Sequence, residues 1–241
     1  MQANLNNAVM FDMEVNAVRA LPKPQLRPSF LWEFLLDGRT PARAMTDEAI
    51  TKMLPALEGT GSILELGAAG NYYKRFAKAG QRYVTSNLSG DADARLDMTR
   101  LDLPDNSVDA LVSVFAIEHV FDFAVVFGEQ YRVLKPGGRL LLVAPFLYYY
   151  HAAPDDYFRF SCSALDSLLS PFEILIRQPV GGRNLLFAEF LHEKAILGSK
   201  RNPLTRFALR LLALPFLAFA LSRHQSQYAI AYAYVCQKKA T

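Results

Sequence analysis

The sequence predicts an α/β fold in which strands and helices alternate around a mostly parallel sheet, with helices on both faces. Three observations carry that expectation. Short apolar runs rich in Val, Ile, Leu and Tyr recur from residue 62 onward, helix-compatible stretches separate them, and glycine or proline marks the junctions. A chain of 241 residues is long enough for one such domain with extensions. With 51% hydrophobic and 20% charged residues, the composition supports a buried core and argues against disorder.

Residues 1–58 are expected to form an N-terminal helical extension and residues 59–241 the main domain. In the extension, Pro22, Pro24 and Pro28 interrupt helix, and Ser29 to Leu36 reads as a short apolar helix. Thr46 suits an N-cap, with Asp47 and Glu48 in a first turn whose dipole favours acids. Gly59 and Gly61 then end that helix. A first strand is expected at 62–66, a helix through 73–79 and a second strand at 82–86. A third strand at 94–97 is thin in apolar content. The fourth strand covers 109–115, followed by a helix from about 120 to 134. Pro136-Gly137-Gly138 turns the chain into a fifth strand at 139–145. A sixth strand is read at 172–177 and a last one at 227–236, with a helical insertion at about 184–223 between them.

Charge is unevenly spread. The net charge is +3, yet residues 177–241 hold ten Lys and Arg against Glu189 and Glu193, leaving the preceding part net acidic. A basic C-terminal third suggests an anionic surface as partner. Two cysteines, Cys162 and Cys236, do not make a disulfide framework, and a reducing compartment is expected. The N-terminus lacks a basic stretch followed by an apolar one, which argues against a secretory signal and for a cytoplasmic location. The four histidines, at 119, 151, 192 and 224, form no helical ligand pair, so no metal site is expected.

Chemistry is concentrated at predicted strand ends. The strand ending in Glu65 runs into Gly67, Ala68 and Gly70, where missing Cβ atoms allow a ligand close to the backbone. A tight turn explains such a loop equally well. Asn87, after the second strand, suits a ribose hydroxyl, and Asp97 with Met98 suits an adenine amine and ring. Leu101-Asp-Leu-Pro-Asp-Asn-Ser-Val-Asp109, Ala116-Ile-Glu-His-Val120 and Tyr131-Arg-Val-Leu-Lys-Pro-Gly-Gly138 follow in order.

This run of motifs, over roughly residues 60 to 180, resembles the class I S-adenosylmethionine-dependent methyltransferases, within them the ubiquinone and small-molecule group. The resemblance implies a Rossmann-like seven-stranded sheet with an antiparallel last strand, S-adenosylmethionine as cofactor, and methyl transfer. It would place Glu65, Gly67, Ala68 and Gly70 at the cofactor's amino-acid end, Asn87 at its ribose, Asp97 and Met98 at its adenine, and Phe115 at the site's edge. Ala69 and Asn87 depart from the family's usual glycine and acid. Tyr72 or Tyr73 is a candidate for cation–π contact with the sulfonium, with plain packing as the other reading.

His119, His151 and Asp156 are the candidate catalytic residues. Either imidazole titrates in the range useful to a general base. The competing readings are a helix cap for His119, and a loop pinned by Asp156 and Arg159 in the aromatic segment 146–160. The expected acceptor is a small molecule, a glycan or a lipid-linked molecule. Nucleic acid is not expected, since the basic residues are interleaved with apolar runs rather than with a recognisable binding motif. The uncharged run 211–222 is shorter than the ~20 residues of a membrane span and is broken by Pro215. Residues 204–223 therefore read as a lid or homodimer contact, or as a helix lying at the inner face of a membrane. The rival functional readings are a non-catalytic methyltransferase-fold binding protein at a membrane surface and a nicotinamide-dependent dehydrogenase.

Overall fold

The computed structural model describes residues 29–37, 39–57, 59, 61–77, 80–152, 154–197, 202–220 and 226–240. The proline breaks at 22–28 and residues 221–223 of the apolar run lie outside the described residues. One sheet contains β1 (Ser62–Leu66), β2 (Arg82–Ser86), β3 (Val108–Val114), β4 (Leu134–Pro145), β5 (Phe172–Val180) and β6 (Ala231–Lys238), in the order β2-β1-β3-β4-β6-β5. The pairs β1–β2, β1–β3 and β3–β4 are parallel, while β6 runs antiparallel to both β4 and β5. The antiparallel last strand is thus present, wedged between two strands of the opposite direction.

Among the described residues the sheet has six strands, not the seven expected. The segment expected as the third strand makes only one parallel bridge, Ser86 with Ala94, beyond the β2 edge. Its side chains, from Asp91 to Asp97, are exposed or half-buried, so neither face has apolar surface to hold a longer ladder. β4 begins earlier than expected and takes in the Pro136-Gly137-Gly138 segment, with a register shift opposite Val108 and Ala110.

Among the described residues, six helices flank the sheet: α1 (Ser29–Trp32), which continues into a π-turn at Glu33–Asp37, α2 (Pro41–Met53), α3 (Phe123–Val133), α4 (Cys162–Leu168), α5 (Arg183–Leu197) and α6 (Pro203–Ala220). α2 starts earlier than Thr46. Thr40 is its N-cap, accepting from the Arg43 amide, and Pro41 supplies a preset φ in the first turn. Thr46 is instead buried in mid-helix. The helix expected at 73–79 is a 3-10 turn at Tyr73–Phe76, with residues 78–79 outside the described range. Ser161 caps α4 through the Ala164 amide.

Alternation along the strands feeds two cores, one on each face. Ile63, Ala110, Val112, Leu141, Val143, Ala233 and Val235 meet Met45, Ile50 and Met53 of α2 and Leu185, Ala213 and Leu217 of α5 and α6. Leu64, Leu66, Leu111, Leu140, Leu142 and Tyr234 face the other way, toward Val126, Phe127 and Val133 of α3 and Leu165 of α4. The strand ends of β1, β3 and β4 are left pointing at a shared cleft.

Candidate active site at the strand ends

The cleft holds about 250 Å³ of accessible space and is partly open to solvent, just below the usual range for small-molecule sites. One wall is the loop after β1. Gly67 has φ +71°, and a Cβ there would come within 2.5 Å of the Ala116 Cβ, so this crossing of two strand-end loops demands glycine. Met98 Cε lies 3.6 Å from that same point. Gly70 also has positive φ, +89°. Across the cleft, Phe115 adopts φ +48°, a left-handed conformation that a bulky residue rarely takes. Such backbone strain is characteristic of sites where a side chain must be aimed. The Phe115 ring packs on Tyr148, 5.2 Å between centroids, and lies 6.4 Å from the His151 ring.

Glu65 reaches the cleft from β1, is buried, and accepts a 2.8 Å hydrogen bond from the Tyr83 hydroxyl. Burial pushes its carboxyl up to about 7, outweighing the Tyr83 bond. The Ala68 amide donates to the Ser86 carbonyl. Asn87 ties the same loop: Nδ2 donates to the Ala68 carbonyl at 2.9 Å, and Oδ1 accepts from the Leu88 amide. Asp97 closes a local turn, accepting from the Thr99 amide and hydroxyl. Among the expected site residues, Glu65, Gly67, Gly70, Phe115, His119 and His151 line the cleft, whereas Ala68, Asn87, Asp97, Met98 and Asp156 do not.

The N-terminal helix supplies a wall that the sequence reading missed: Ala42, Arg43 and Thr46 of α2 line the cleft. Buried Asp47 organises it, accepting from Tyr73 at 3.2 Å and from Arg39 at 2.6 Å, with the Tyr72 hydroxyl also bonded and Arg43 at 3.2 Å. Tyr73 is buried, while the Tyr72 ring carries the Arg43 and Arg75 guanidinium groups at 4.2 and 3.8 Å. The signal available in the sequence was the Thr40-Pro41 start, which sets Arg43 and Asp47 one turn apart on a single face.

The third wall combines the 3-10 turn Ile117–His119 after β3 with the loop after β4. Glu118 is fully buried, and among the described residues only the two histidine rings face its carboxylate. His151 Nε2 stands 3.5 Å and His119 Nε2 3.9 Å from its Oε1, and the two rings are 5.0 Å apart. The facing carboxylate pulls His151 up from the ordinary imidazole range, against the opposing effect of burial. Asp156 lies beneath: its carboxylate takes both Arg159 terminal nitrogens, at 2.5 and 2.6 Å, and the His151 amide at 2.8 Å. Arg159 holds this carboxyl down at about 2, and also donates to the Tyr148 and Tyr149 carbonyls. The pair thereby fixes the backbone that presents His151.

A glycine-walled cleft at the carboxyl ends of parallel strands, with a buried carboxylate at its floor, defines a Rossmann-like ligand-binding domain. Residues 64–142 match the family model described as a methyltransferase domain. A probable S-adenosylmethionine-dependent methyltransferase of Mycolicibacterium smegmatis is 45% identical over 49 residues, covering 20% of this chain and 19% of that protein. The ubiquinone/menaquinone biosynthesis C-methyltransferase of Pseudoalteromonas translucida is 29% identical over 100 residues, covering 41% and 38%. The chain thus spans well under half the length of these curated relatives. Among solved structures, a [4+2]-cyclase shares the fold with a TM-score of 0.58 at 18% identity, covering 93% of this chain and 89% of that one. Over residues 64–142 the chain is thus similar to a methyltransferase domain, and its sheet agrees with the Rossmann-like architecture expected of S-adenosylmethionine-dependent methyltransferases.

Proposed function

We propose that the protein transfers a methyl group from S-adenosylmethionine to an acceptor seated between Phe115, Tyr148 and the two histidines. The single observation that carries this reading is the pairing of a glycine-only crossing at Gly67 with a buried carboxylate, Glu65, in one cleft. The residues fit the cofactor: Gly67, which no other residue could replace at the crossing with Ala116, leaves the loop backbone bare toward the cleft, and Glu65 offers a carboxylate to an ammonium group. When bound, the cofactor supplies an electrophilic methyl group on sulfur. In this reading Glu65 and the backbone of 67–70 hold its amino-acid end, while Asn87 braces that loop through the Ala68 carbonyl. The family resemblance assigns Asp97 and Met98, which lie outside the cleft lining, to the adenine side, and Phe115 closes the edge toward the acceptor. Displacement at a sulfonium asks the protein chiefly for alignment and exclusion of water, which supplies several kcal/mol.

For an acceptor that must lose a proton, His119 and His151 are the bases within the cleft, and Asp156 acts through His151 by fixing its backbone. An apolar or lipid-linked acceptor is favoured by α6, whose docked face carries Arg210, Ala213 and Leu217 while Leu204, Phe207, Leu211, Leu212 and Phe216 face outward. No helix among the described residues is long and apolar enough to cross a membrane. This pattern supports contact with a membrane surface by residues 204–223 more than a covered lid. Calorimetric titration with S-adenosylhomocysteine tests the reading. Saturable binding that is weakened by Glu65→Ala is expected. Absence of binding at millimolar ligand would overturn it and favour a non-catalytic role for the fold.

A further inference from the structure

We infer that Glu118, His119 and His151 form a divalent metal site of the two-histidine, one-carboxylate type, opening onto the cleft. The three residues offer ligand atoms that all lie within 4.8 Å of one another. Their hydrogen bonding decides how the imidazoles are protonated. His119 Nδ1 is 2.5 Å from the Asp155 carbonyl and His151 Nδ1 is 3.1 Å from the Tyr149 carbonyl. A carbonyl only accepts, so each Nδ1 carries the hydrogen, and Nε2 is left as the nitrogen that can bind an ion, giving up any proton it holds.

Both Nε2 atoms converge on Oε1 of Glu118, at 3.5 and 3.9 Å. Three candidate ligand atoms therefore face one another around a fully buried carboxylate that, among the described residues, no other side chain pairs with. A buried carboxylate without partners is costly, and an added cation relieves it. The arrangement also has the supporting bonds that metal-bound histidines need, since the nitrogen remote from the ion is tied to the backbone in each case. Zinc bonded at ~2.0–2.1 Å in a tetrahedron sets its ligand atoms about 3.3 Å apart, so binding would draw His151 and, more so, His119 a few tenths of an ångström toward Glu118 from 3.5 and 3.9 Å. Two imidazole nitrogens and one carboxylate oxygen favour zinc, cobalt or iron over calcium or magnesium.

Three protein ligands leave a coordination position free. His119 and His151 line the cleft beside Phe115 and Tyr148, so the free position faces the space where the acceptor would sit. An oxygen of the acceptor, as hydroxyl or carboxylate, is the ligand that would complete it. The site does not depend on cofactor binding, because its ligands are distinct from the cofactor loop; with an ion bound both Nε2 atoms are occupied, and the ion rather than a free imidazole would activate an acceptor hydroxyl.

Titration of the full chain with Co2+ tests the proposal, read by the visible absorption bands of the bound ion and by zinc retained after dialysis. One equivalent of Co2+ displaceable by Zn2+ is expected, and Glu118→Gln, His119→Ala and His151→Ala should each weaken binding more than about 100-fold, beyond the effect of losing a supporting residue. Circular dichroism of each variant checks that the fold persists. His151→Ala, at a partly exposed loop position, carries the test should Glu118→Gln unfold. Absence of cobalt bands in the folded wild-type chain would overturn the site, as would unchanged binding in folded His151→Ala. A parallel titration with S-adenosylhomocysteine keeps the two readings separate: metal bound without cofactor affinity sinks methyl transfer, and cofactor affinity without metal sinks this site.

Discussion

Gly67 and Ala116 meet where the loops after β1 and β3 cross, and a Cβ on Gly67 would lie 2.5 Å from the Ala116 Cβ. The Gly67 backbone is also in the left-handed region, φ +71°, so Gly67→Ala suffers both collision and strain. A loss of about 1–3 kcal/mol is expected, read by chemical denaturation, together with loss of S-adenosylhomocysteine binding. Gly70→Ala separates the two effects: its φ is +89° but nothing lies within 4 Å of the added Cβ. It should cost less stability than Gly67→Ala, and an equal cost would refute the crossing as the reason for glycine.

Glu65 makes stability and ligand binding pH-dependent in opposite senses. Its carboxyl is raised from 4.5 to about 7 by burial, so ionising it opposes the fold. That penalty is absent below pH 4.5, grows as pH rises to about 7, and is fully present above it. Glu65→Gln, which keeps an acceptor for Tyr83, should therefore be more stable than wild type above neutrality, by on the order of 3 kcal/mol, and equal to it in mild acid. Thermal unfolding across this range is the measurement. A ligand ammonium favours the ionised form, so cofactor affinity should rise with pH through about 7 and binding near neutrality should release a proton. Calorimetry in buffers of differing ionisation enthalpy detects that proton.

Arg159 and Asp156 hold the loop after β4. The Asp156 side chain is inaccessible to solvent, whereas Arg159 remains about one quarter exposed. Arg159→Ala strands the carboxylate, and a cost toward the lower end of the ~3–5 kcal/mol seen for broken buried pairs is expected. Asp156→Asn retains an acceptor for the His151 amide and should cost less. The ordering of their melting temperatures checks this. A reversed ordering would mean that the carboxylate is not what Arg159 neutralises.

How much of this was legible in the sequence depends on the range of the signal. The strand pattern and the Glu65-to-Gly70 wall follow from local periodicity and spacing, which act within a few residues, whereas the antiparallel last strand was implied only by the family resemblance. The expected third strand failed because 94–97 lacks the apolar side chains that would pay for a ladder, a shortage visible in the residues themselves. α2 was misplaced because Asp47 looks like a first-turn acid until Thr40 and Pro41 are recognised as the true start. The histidine–glutamate cluster had no local signature at all. His119 and His151 are 32 residues apart in sequence, and only the adjacency of β3 and β4 brings their rings to 5.0 Å. Arg43 entered the cleft for a similar reason, through the packing of α2 on the sheet.

α6 carries its apolar residues on the wrong side for a helix that only packs inward. Leu204 is 75% and Leu212 62% exposed, and Phe207, Leu211 and Phe216 extend the same stripe. Arg210 points the other way, donating at 2.6 Å to the Leu35 carbonyl, so it anchors the helix to the π-turn rather than facing outward. If the stripe meets lipid, the protein should co-sediment with anionic vesicles, and the double substitution Phe207→Glu and Leu212→Glu should abolish this without lowering the melting temperature, since both side chains are solvated in the free chain. Basic residues in the C-terminal third should make the binding weaken at high salt and on neutral vesicles. Vesicle binding that survives the double substitution would refute the stripe as the contact. A shift from dimer to monomer in the variant, with no vesicle binding by the wild type, would instead assign the stripe to a second copy of the chain.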